Sequence, residues 1–565
     1  MTYYFKDVFN INDFATKHDC QLTIKQNYVY LIRYHDEHGN PYGERKQFSI
    51  GRLSDRENEL FEPNTKFFVF FPEYKDKSSD AVFSSMLDRE KKAQITNVAM
   101  ALTQTTADLL DIRSDLNEIE VKHADEIIAY ASGQVITNGA SSEVICNYIS
   151  ASSLGHLKMT SQKVSRLLTG LTRADKENFC ALRIARVEDS SSLSFDATNF
   201  KSTAKSSYVC KGLGKDGRFQ YQIAGVFTVD NNRDEPINYN IYQGNIPDVS
   251  VTNTVVEEIL KIKSGGHLFV FDRGHASLGH LQFFHDNEVQ YLTGLNKSNM
   301  AFKKLVAEVN ERPGRCFLGE PNEGTVLHEK VIDYAEYLGL DDSSLPVKVC
   351  IRFNLQLASQ QQQKFLDLYY KRKKQLQTLV DNANKNKTKI KRRYRYFTIE
   401  QEESGEFILK ELEDKFIQDM LLCGYSILIS NNLELSAQEM HQKYLSKDSC
   451  EKVIELYKSH LGLRSMKKHS DITIEAHTFI SFISVIIRYH LTTRLRKQKI
   501  KEDCTKGTSI STILDVLSRT QIKVYEDGKV VMDPLNSDSK MLLRAVGITE
   551  KDLKETARKM LNRYN

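Results

Sequence analysis

The sequence contains no tryptophan, and its nine cysteines are scattered without one Cys-x-x-Cys pair. Because their number is odd and their spacing is irregular, neither a disulfide framework nor a zinc site is expected, and a reducing cytosol is the natural compartment. The N-terminal residues MTYYFKDVF lack the basic and then apolar order of a signal peptide. The longest apolar run, Phe479–Ile487, has nine residues, which predicts a buried helix and is too short to span a membrane.

The chain also lacks an excess of charge of one sign, since 78 lysines and arginines face 74 aspartates and glutamates. This balance does not by itself indicate a nucleic-acid-binding protein, so the local distribution of charge is more informative about nucleic-acid binding. The charged fraction of 27% and the apolar fraction of 40% are typical of a soluble globular protein. The length of 565 residues indicates several domains.

The segment from Tyr444 to Lys458 predicts an amphipathic helix. At the helical spacing of 100° per residue, Tyr444, Lys447, Glu451 and Lys458 fall within an arc of about 60°. The apolar residues on the opposite side are Leu445, Val453, Leu456, Tyr457 and Leu461. The same pattern also fits an ordinary solvated face, on which Lys447 and Glu451 form an ion pair worth a few tenths of a kcal/mol.

Two other carboxylates follow short apolar runs: Asp196 follows Leu193–Phe195, and Asp272 follows Leu268–Phe271. Such runs predict buried strands that bring an acid to the edge of a sheet. A carboxylate there is costly unless it is paired or bound to a metal ion. Each aspartate could instead cap a helix or a turn. The order strand-Asp, strand-Asp, helix-Glu is more specific than any of the three residues alone.

Alternating strands and helices between residues 191 and 296 predict an α/β domain. The predicted strands are Leu193–Phe200, Gln220–Asp230, Ile237–Gln243, His267–Asp272 and Val289–Leu295. Three successive strands followed by a helix and a strand, with an acid on the first and the fourth, are the plan of an RNase H-like catalytic domain. The plan resumes over residues 423–500 with the strand Gly424–Ser430, the helices of Ser436–His460 that carry Glu451, and an apolar helix.

Residues 297–422 interrupt this plan and predict an insertion domain. Its predicted elements are the strands Val347–Phe353, Tyr396–Glu400 and Glu406–Leu412 and the long polar helix Ser359–Asn382. Within it, the segment Lys385–Phe397 is basic with interleaved aromatic residues. A run of charges is usually a solvated turn, but a mixture of cations and rings also suits DNA phosphates and stacked bases. The candidate DNA contacts are Lys391, Arg392, Arg393 and Arg395.

Residues 76–190 predict a helical DNA-binding region with a long helix, Ser84–Leu116, and a helix-turn-helix. The helices Ser141–Ser150 and Thr160–Leu171 flank the turn SSLGH, and Thr160 is suited to cap the second helix. The side of that helix opposite Val164, Leu167 and Leu168 carries Ser161, Gln162, Lys163 and Arg166. This is the arrangement of a recognition helix in DNA, although an ordinary helical hairpin has the same spacing.

The two ends of the chain predict smaller regions. Residues 1–75 are β-rich, and the alternation from Tyr28 to Tyr34, the turn DEHGNP and the return over Arg45–Ile50 predict a hairpin that either packs or contacts DNA. Residues 501–565 predict a C-terminal tail region with a hairpin around KVYEDGKVV and a final helix, Lys551–Arg563.

The spacing Tyr444-x2-Lys447-x3-Glu451-x6-Lys458 resembles the Tyr-x2-Arg-x3-Glu-x6-Lys signature of bacterial insertion-sequence DDE transposases. In that family a β-rich insertion splits the RNase H-like catalytic domain. The long interval between Asp272 and Glu451 leaves room for such an insertion. The resemblance extends over about residues 140–550 and includes SFDATNF around Asp196, GYSILISNN before the signature, and Gln222–Asp248.

The resemblance implies a DNA transposase that binds terminal inverted repeats, cuts at the element ends and joins the 3′ ends to target DNA. Asp196, Asp272 and Glu451 would be the ligands of two Mg²⁺ ions, with Asp196 as the bridge and with Mn²⁺ as a substitute, since hard cations prefer carboxylate oxygen. Tyr444, Lys447 and Lys458 would hold DNA phosphates. A homodimer would act on two ends of double-stranded DNA, in a bacterial cytoplasm at the nucleoid and without a membrane partner.

The sequence departs from the family at two points. Lys447 stands where arginine is usual, which keeps the charge but loses the bidentate fork for phosphate. Some relatives stack a flipped base on tryptophan, and this chain has none, so a hairpin intermediate is left open. Two other classes also remain open: a nuclease of the same fold that only hydrolyses DNA, and a catalytically inactive DNA-binding regulator. Strand-transfer products would exclude the nuclease, and the three intact acids argue against the regulator.

Overall fold

The computed structural model describes residues 8–35, 41–74, 90, 92–152, 157, 159–214, 217–311, 320–322, 325–340, 344–386, 393–461, 465–466, 468–502 and 508–564. The chain divides into two compact units. One comprises Met1–Ile95 and Lys523–Val531, and the other comprises Thr96–Ile522 and Met532–Asn565. Both contain helices and strands, so the fold is mixed α/β, as the sequence predicts.

An antiparallel five-stranded sheet forms the centre of the first unit. Its strands are β1 (Phe9–Asn10), β2 (Gln21–Lys25), β3 (Tyr28–His35), β4 (Pro41–Asp55) and β5 (Leu60–Pro63), in the order β1-β5-β4-β3-β2. The helices Ile11–Lys17 and Phe67–Phe70 accompany it. The predicted hairpin is confirmed, because Tyr30 pairs with Ser49 and Ile32 pairs with Gln47. The turn of that hairpin, residues 36–40, lies outside the described residues.

One large sheet organises the second unit. The remaining strands of the chain are β6 (Gln94–Asn97), β7 (Ser192–Ser202), β8 (Cys210–Leu213), β9 (Phe219–Asp230), β10 (Glu235–Gln243), β11 (Leu268–Phe271), β12 (Gln290–Gly294), β13 (Glu320–Asn322), β14 (Thr325–Asp333), β15 (Pro346–Asn354), β16 (Phe397–Gln401), β17 (Phe407–Glu411), β18 (Tyr425–Ser430), β19 (Ser465–Met466), β20 (Gln521–Val524) and β21 (Val530–Met532). Eleven of them form the sheet, in the order β10-β9-β7-β11-β12-β18-β15-β14-β13, with β8 beside β9 and β19 beside β7.

The acid-bearing strands β7 and β11 are neighbours inside this sheet. β11 is parallel to β7 and to β12, whereas β7 and β9 are antiparallel. All four residues of β11 are buried, as expected for a short strand that is covered on both faces. All five strands predicted between residues 191 and 296 are present, and so is the later strand β18. The short strand β8 was not predicted.

The predicted insertion contributes strands to the same sheet. β15 pairs with β18 through six residue pairs from Lys348 to Phe353, and β14 pairs with β15. The rest of the segment contains the helix Leu355–Asn386, which is longer than predicted, and the hairpin of β16 and β17. The sequence predicted β15, β16 and β17 but neither β13 nor β14. It also did not predict the partners of these strands, because pairing between segments far apart in the chain leaves no local signal in the sequence.

The helices of the second unit are Val98–Leu109, Ile112–Glu118, Ala124–Ile136, Ser142–Ala151, Ser161–Gly170, Arg173–Ala185, Thr252–Ile262, Leu278–Asp286, Met300–Glu311, Tyr334–Leu338, Leu355–Asn386, Glu413–Leu421, Ala437–Leu445, Asp448–Glu455, Asp471–Lys501, Ile510–Arg519, Ser537–Val546 and Glu550–Tyr564. The prediction of one helix over Ser84–Leu116 was wrong. Its described part contains two helices, separated by Asp111 in the left-handed conformation at φ 57°. Residues 84–89 lie outside the described part.

The helix Asp471–Lys501 crosses the core of the second unit. It begins at Ser470, whose side chain caps it by accepting a hydrogen bond from the Thr473 amide. The helix is long and apolar enough to cross a membrane by composition alone, but 83% of its most apolar window is buried inside the protein. The predicted buried helix at Phe479–Ile487 is therefore confirmed.

Candidate active site

Asp196 and Asp272 lie side by side on adjacent strands. In the parallel pairing of β7 with β11, Phe269 is opposite Leu193 and Val270 is opposite Ser194. The rings of Phe195 and Phe271 continue this register, with their centroids 5.4 Å apart. The next residue of each chain is an acid. Neighbouring strands are about 4.8 Å apart, so the register brings the two aspartates to the same level of the sheet.

The two aspartates occupy different positions in their strands. Asp272 directly follows β11, as predicted. Asp196 lies in the middle of β7, which continues to Ser202, in agreement with the predicted strand Leu193–Phe200. Its carboxylate accepts a hydrogen bond from the Ala197 amide at 2.8 Å.

The segment that carries Glu451 is not the single helix that the sequence predicted. One helix ends at Leu445, a second runs from Asp448 to Glu455, and a π-helical turn covers Leu456–His460. Leu445, expected on the inner side, is 56% exposed, whereas Val453 and Tyr457 are buried as predicted. The hydrophobic pattern identified a helical segment correctly, but it does not record a short break between two helices.

The junction between these helices places Lys447 between two carboxylates. Its Nζ lies 2.9 Å from Glu451 Oε1 and 3.4 Å from Asp272 Oδ1. Because one ammonium group contacts both oxygens, the two carboxylates are neighbours across it. The Lys447–Glu451 ion pair that a solvated face would show is therefore present, but its lysine side chain is only 13% exposed and also contacts the second aspartate.

Cys450 links the helix that carries Glu451 to the strands beside Asp196. Its thiol donates a hydrogen bond to the carbonyl of Phe227 at 3.1 Å, and Phe227 is the cross-strand partner of Asp196. Burial, followed by the charge of Asp196, raises the pKa of the Cys450 thiol well above its usual value. The helix that begins at Asp448 thus packs over β7 and β9 beside Asp196.

The charges of this group stabilise one another. Burial acts to lower the pKa of Lys447, but the hydrogen bond to Glu451 and the charge of Asp272 outweigh it and raise that pKa. Burial likewise acts to raise the pKa of Asp272, but the charge of Lys447 and the Arg273 amide lower it overall. Lys447 is therefore a cation and Asp272 an anion at neutral pH.

The Tyr444 side chain contacts Asp272 and packs closely against Gly294. Its hydroxyl donates a hydrogen bond to Asp272 Oδ1 at 3.3 Å. Burial and the charge of Asp272 raise the pKa of Tyr444 to about 12, so the hydroxyl keeps its proton. A Cβ atom at Gly294 would lie 3.0 Å from the Tyr444 hydroxyl and 3.4 Å from Cβ of Arg273. A side chain at position 294 would therefore press on Tyr444 unless the ring shifts by a few tenths of an ångström.

A cavity of about 360 Å³ opens beside these groups. Its lining includes the carboxylates of Asp272 and Glu451 and four cations, which are Lys447, Arg273, Lys297 and Arg352. Since positive charges outnumber negative ones, the cavity favours an anion. Three of these cations, Arg273, Lys297 and Arg352, were not predicted from the sequence. Arg273 directly follows Asp272 and could have been found, whereas Arg352 enters the cavity only because β15 pairs with β18.

Two of the additional cations have distinct surroundings. Lys297 donates hydrogen bonds to the Leu422 carbonyl at 2.8 Å and to Gln361 Oε1 at 2.9 Å, and burial lowers its pKa. The buried Nε of Arg352 has no hydrogen-bond partner among the described residues. The Arg352 side chain lines the cavity, so its guanidinium adds positive charge to that wall.

The carboxylates converge without reaching the spacing of a bound metal ion. Within the described residues, no group of three His, Cys, Asp or Glu side chains is close enough to hold one. Two oxygens on one Mg²⁺ lie at most about 4 Å apart, and here the oxygens of Asp272 and Glu451 both contact the Lys447 ammonium instead. The chemistry of the donors fits a hard divalent cation, since they are carboxylates and two of them already share one positive charge.

Lys458 lies in the π-helical turn that follows the Glu451 helix. Its Nζ lies 5.5 Å from the centroid of the Phe200 ring, and it does not line the cavity. The π-helical turn that begins at Leu456 changes the angular position of every residue after it. The angular position expected for Lys458 on a regular helix therefore does not apply, and its contact with DNA stays a prediction.

The predicted recognition helix has the expected form. Thr160 accepts a hydrogen bond from the Lys163 amide at 3.2 Å, and the inward residues Val164, Leu167 and Leu168 are buried. Ser161, Gln162 and Arg166 are more open to solvent than these three. Lys163 is only 32% exposed and lies 3.3 Å from Glu126. The turn at residues 153–156 lies outside the described part, and no observation tests DNA contact.

Part of the basic segment Lys385–Phe397 packs into the protein core. Lys391 and Arg392 lie outside the described residues. Arg393 forms an isolated bridge with Thr398, and Arg395 pairs with Asp419 at 2.9 Å. Phe397 is 1% exposed and packs on Tyr369. The expectation that Phe397 offers a free face for a base was wrong, because the alternation of β16 directs this ring inward.

Comparison with known proteins decides the family. A family model described as "Transposase DDE domain" matches residues 188–487, which are more than half of the chain. The chain belongs to the DDE transposase domain family. Membership indicates an enzyme of the class that cuts and transfers DNA. The matched residues include Asp196, Asp272 and Glu451 and the whole segment between the last two.

Two other comparisons add little to this DDE transposase assignment. The solved structure of a piggyBac transposase synaptic complex with hairpin DNA is similar at 10% identity and a TM-score of 0.32, with 82% of each chain covered. A likeness at that TM-score carries no argument about the site. No curated protein matches the chain.

Proposed function

We propose that this protein is the DNA transposase of a bacterial insertion sequence. It binds the terminal inverted repeats, cleaves at the element ends and joins the 3′ ends to target DNA. The observation that carries the proposal is the meeting of Asp272, Lys447 and Glu451 at one cation-lined cavity, although the two acids are far apart in the sequence. The family match supports the same class of reaction.

Asp196, Asp272 and Glu451 are the residues proposed to hold Mg²⁺, or Mn²⁺ in its place. The donor set fits, because all three side chains are carboxylates and the two aspartates are adjacent in register. When bound, a pair of such ions activates the attacking oxygen and neutralises the leaving one. The protein's own contribution is to fix the carboxylates on two neighbouring strands and on a helix packed over them.

The cations of the cavity are proposed to hold the DNA backbone. Lys447 and Tyr444 lie against Asp272, so they orient a phosphate beside the acids. Lys297 and Arg352 add two donors on the wall formed by the insertion and by the residues after β12. The Lys458 side chain is proposed to contact DNA outside this cavity.

The remaining assignments extend this proposal to the whole chain. The catalytic domain, residues 191–296 and 423–500, is RNase H-like and is split by residues 297–422, while residues 1–75 and 501–565 form flanking regions. Ser161, Gln162, Lys163 and Arg166 contact the inverted repeat, and Lys391, Arg392, Arg393 and Arg395 contact DNA near the cleavage site. A homodimer holds two ends of double-stranded DNA in the synaptic complex, in the bacterial cytoplasm at the nucleoid.

A strand-transfer reaction tests the proposal. Purified protein is incubated with Mg²⁺, a supercoiled target and labelled duplexes that carry the sequences flanking this gene, each including a short inverted repeat. The expected products are ends nicked at the repeat boundary and labelled strands joined to the target. Cleavage without joining would indicate a nuclease instead. Binding of the repeats without cleavage would indicate a regulator, and a scrambled repeat serves as the control.

A further inference from the structure

The hairpin of β8 and β9 exposes an apolar and basic face that the proposed active site does not use. Leu213, Phe219 and Tyr221 are 57%, 70% and 60% exposed, respectively. Large apolar side chains at such exposure, grouped on one short ribbon, are a feature of interaction surfaces. Lys211 and Arg218 on the same ribbon are also exposed.

Strand register places Lys211 and the three apolar residues on one side of the ribbon, and Arg218, next to Phe219, on the other side near the turn. Lys211 pairs with Tyr221, and Leu213 pairs with Phe219. Directly opposed residues of an antiparallel pair share a face, and the next pair lies on the other face. Rings, an aliphatic side chain and an ammonium group are therefore presented together.

The other side of the ribbon is fixed to the sheet. Gln222 Nε2 donates a hydrogen bond to the Gly244 carbonyl at 2.9 Å, and the Gly244 amide donates to the Tyr208 carbonyl at 3.1 Å. A Cβ atom at Gly212 would lie 2.0 Å from the Gly244 oxygen, so the two backbones touch there. The exposed face is thus held in one orientation.

The ribbon extends from the same end of the sheet as the acids. β7 runs past Asp196 to Ser202 and leads into the ribbon, while the parallel strand β11 ends at Asp272. Phe219 precedes Phe227, the partner of Asp196, by eight residues, which is about 26 Å along a strand. On duplex DNA that distance corresponds to about eight base pairs from the cleaved bond.

We propose that this ribbon, defined by the described residues 210–214 and 217–222, binds duplex DNA beside the cleavage site. Lys211 and Arg218 contact phosphates, while Leu213, Phe219 and Tyr221 lie against sugars and bases in a groove. A two-stranded ribbon fits the major groove, and apolar side chains next to cations are a combination used on bent or partly unstacked DNA. Positive charge favours DNA over a second copy of this chain as the occupant. The inference rests on the proposed function for the location of the cleaved bond.

The test uses fluorescence anisotropy on the full chain with a duplex of the element end that extends well beyond the inverted repeat. Replacing Phe219 and Tyr221 together with Ala should weaken binding about tenfold. Replacing Lys211 and Arg218 together with Gln should lower the slope of log affinity against log salt by about 2. Tyr370→Ala is the matched control, since this tyrosine is 62% exposed on the long helix of the insertion, and it should bind like the unaltered protein.

A second measurement does not depend on loss of binding. A benzoylphenylalanine crosslinker in place of Phe219 should attach to DNA about eight base pairs from the cleaved bond. The inference is overturned if both double variants bind with unchanged affinity and salt slope and no crosslink forms, or if the variants alter only the dimerisation constant. If the unaltered chain neither cleaves nor joins DNA but the ribbon variants still lose affinity for DNA, the proposed function is wrong and DNA binding by the ribbon is supported. If the unaltered chain binds no DNA, both fail.

Discussion

The three acids differ in accessibility although the same role is proposed for them. Glu451 and Asp272 have side chains that are 53% and 44% exposed, whereas Asp196 is partly buried in mid-strand. We expect Ala at any one of them to abolish cleavage and strand transfer and to leave repeat binding within about twofold, because none lies on the recognition helix. Nicking assays with Mg²⁺ and with Mn²⁺, alongside gel-shift titrations, measure both properties.

Glu455→Ala is the control for these variants, since Glu455 is exposed one helical turn after Glu451. It should cleave like the unaltered protein. Turnover above a tenth of that of the unaltered protein in Asp196→Ala, Asp272→Ala or Glu451→Ala would remove that residue from the proposed ligand set.

The role of Lys447 can be tested by replacing this residue alone. Its ammonium contacts both Asp272 and Glu451, so Lys447→Ala should slow end cleavage by roughly 100-fold, the usual effect of losing one aligned donor. Lys447→Arg should retain most of the activity, because the charge remains and arginine is usual at this point of the signature. Single-turnover cleavage rates measure the difference.

Lys452→Ala provides the comparison for Lys447, because Lys452 forms an exposed pair with Asp448 on the same helix, at 2.5 Å. That pair should be worth well under about 1 kcal/mol, and its loss should leave cleavage unchanged. If Lys447→Ala cleaves as fast as the unaltered protein, the Lys447–Glu451 contact has no role in cleavage, like the Lys452–Asp448 pair.

At the scale of elements, the end of β12 has to accommodate the helix that carries Tyr444. A Cβ atom at Gly294 would lie 3.0 Å from the Tyr444 hydroxyl, tighter than an ordinary contact. We expect Gly294→Ala to displace Tyr444 from Asp272 and to lower the cleavage rate about tenfold, with repeat binding retained. Removing the hydroxyl in the double variant Gly294→Ala/Tyr444→Phe should relieve the contact, so the two changes should not be additive.

Gly279→Ala is the corresponding control, because no atom lies within 4 Å of its Cβ position and the residue is helical. Additive losses in the Gly294→Ala/Tyr444→Phe double variant would mean that Gly294 acts through something other than Tyr444.

At the scale of the whole molecule, a buried charge network connects the helical region to the large sheet. Arg183 and Asp115 are both fully buried and lie 3.1 Å apart, and Arg183 also pairs with Glu235 at the start of β10. Arg186 donates to the same aspartate at 3.0 Å. Arg183→Ala leaves two carboxylates with one partner fewer, so the free energy of unfolding should fall by about 3–5 kcal/mol.

Urea unfolding followed by circular dichroism measures this loss. Arg173→Ala, which removes an exposed pair with Glu177 at the other end of the same helix, should cost about 0.5 kcal/mol or less. An equal effect of the two substitutions would show that the buried network does not link the two regions.

The sequence by itself determined which local elements form and which residues carry the chemistry. Alternation and apolar runs predicted β7, β9, β10, β11, β12 and β18, and the capping threonine predicted the start of the Ser161–Gly170 helix. These signals are local, because side-chain periodicity and caps depend on neighbours a few residues away. The spacing of charged and aromatic residues around Glu451 was sufficient to suggest the family.

Only the tertiary structure decided which of these residues meet. The junction at Lys447 places this lysine at the cavity, whereas Lys458 lies in a π-helical turn and does not line the cavity. Pairing of β15 with β18 adds Arg352 to the cavity, and packing on Tyr369 withdraws Phe397 into the core. These outcomes depend on contacts between residues far apart in the chain, and such contacts leave no periodic mark on the sequence that a local pattern could reveal.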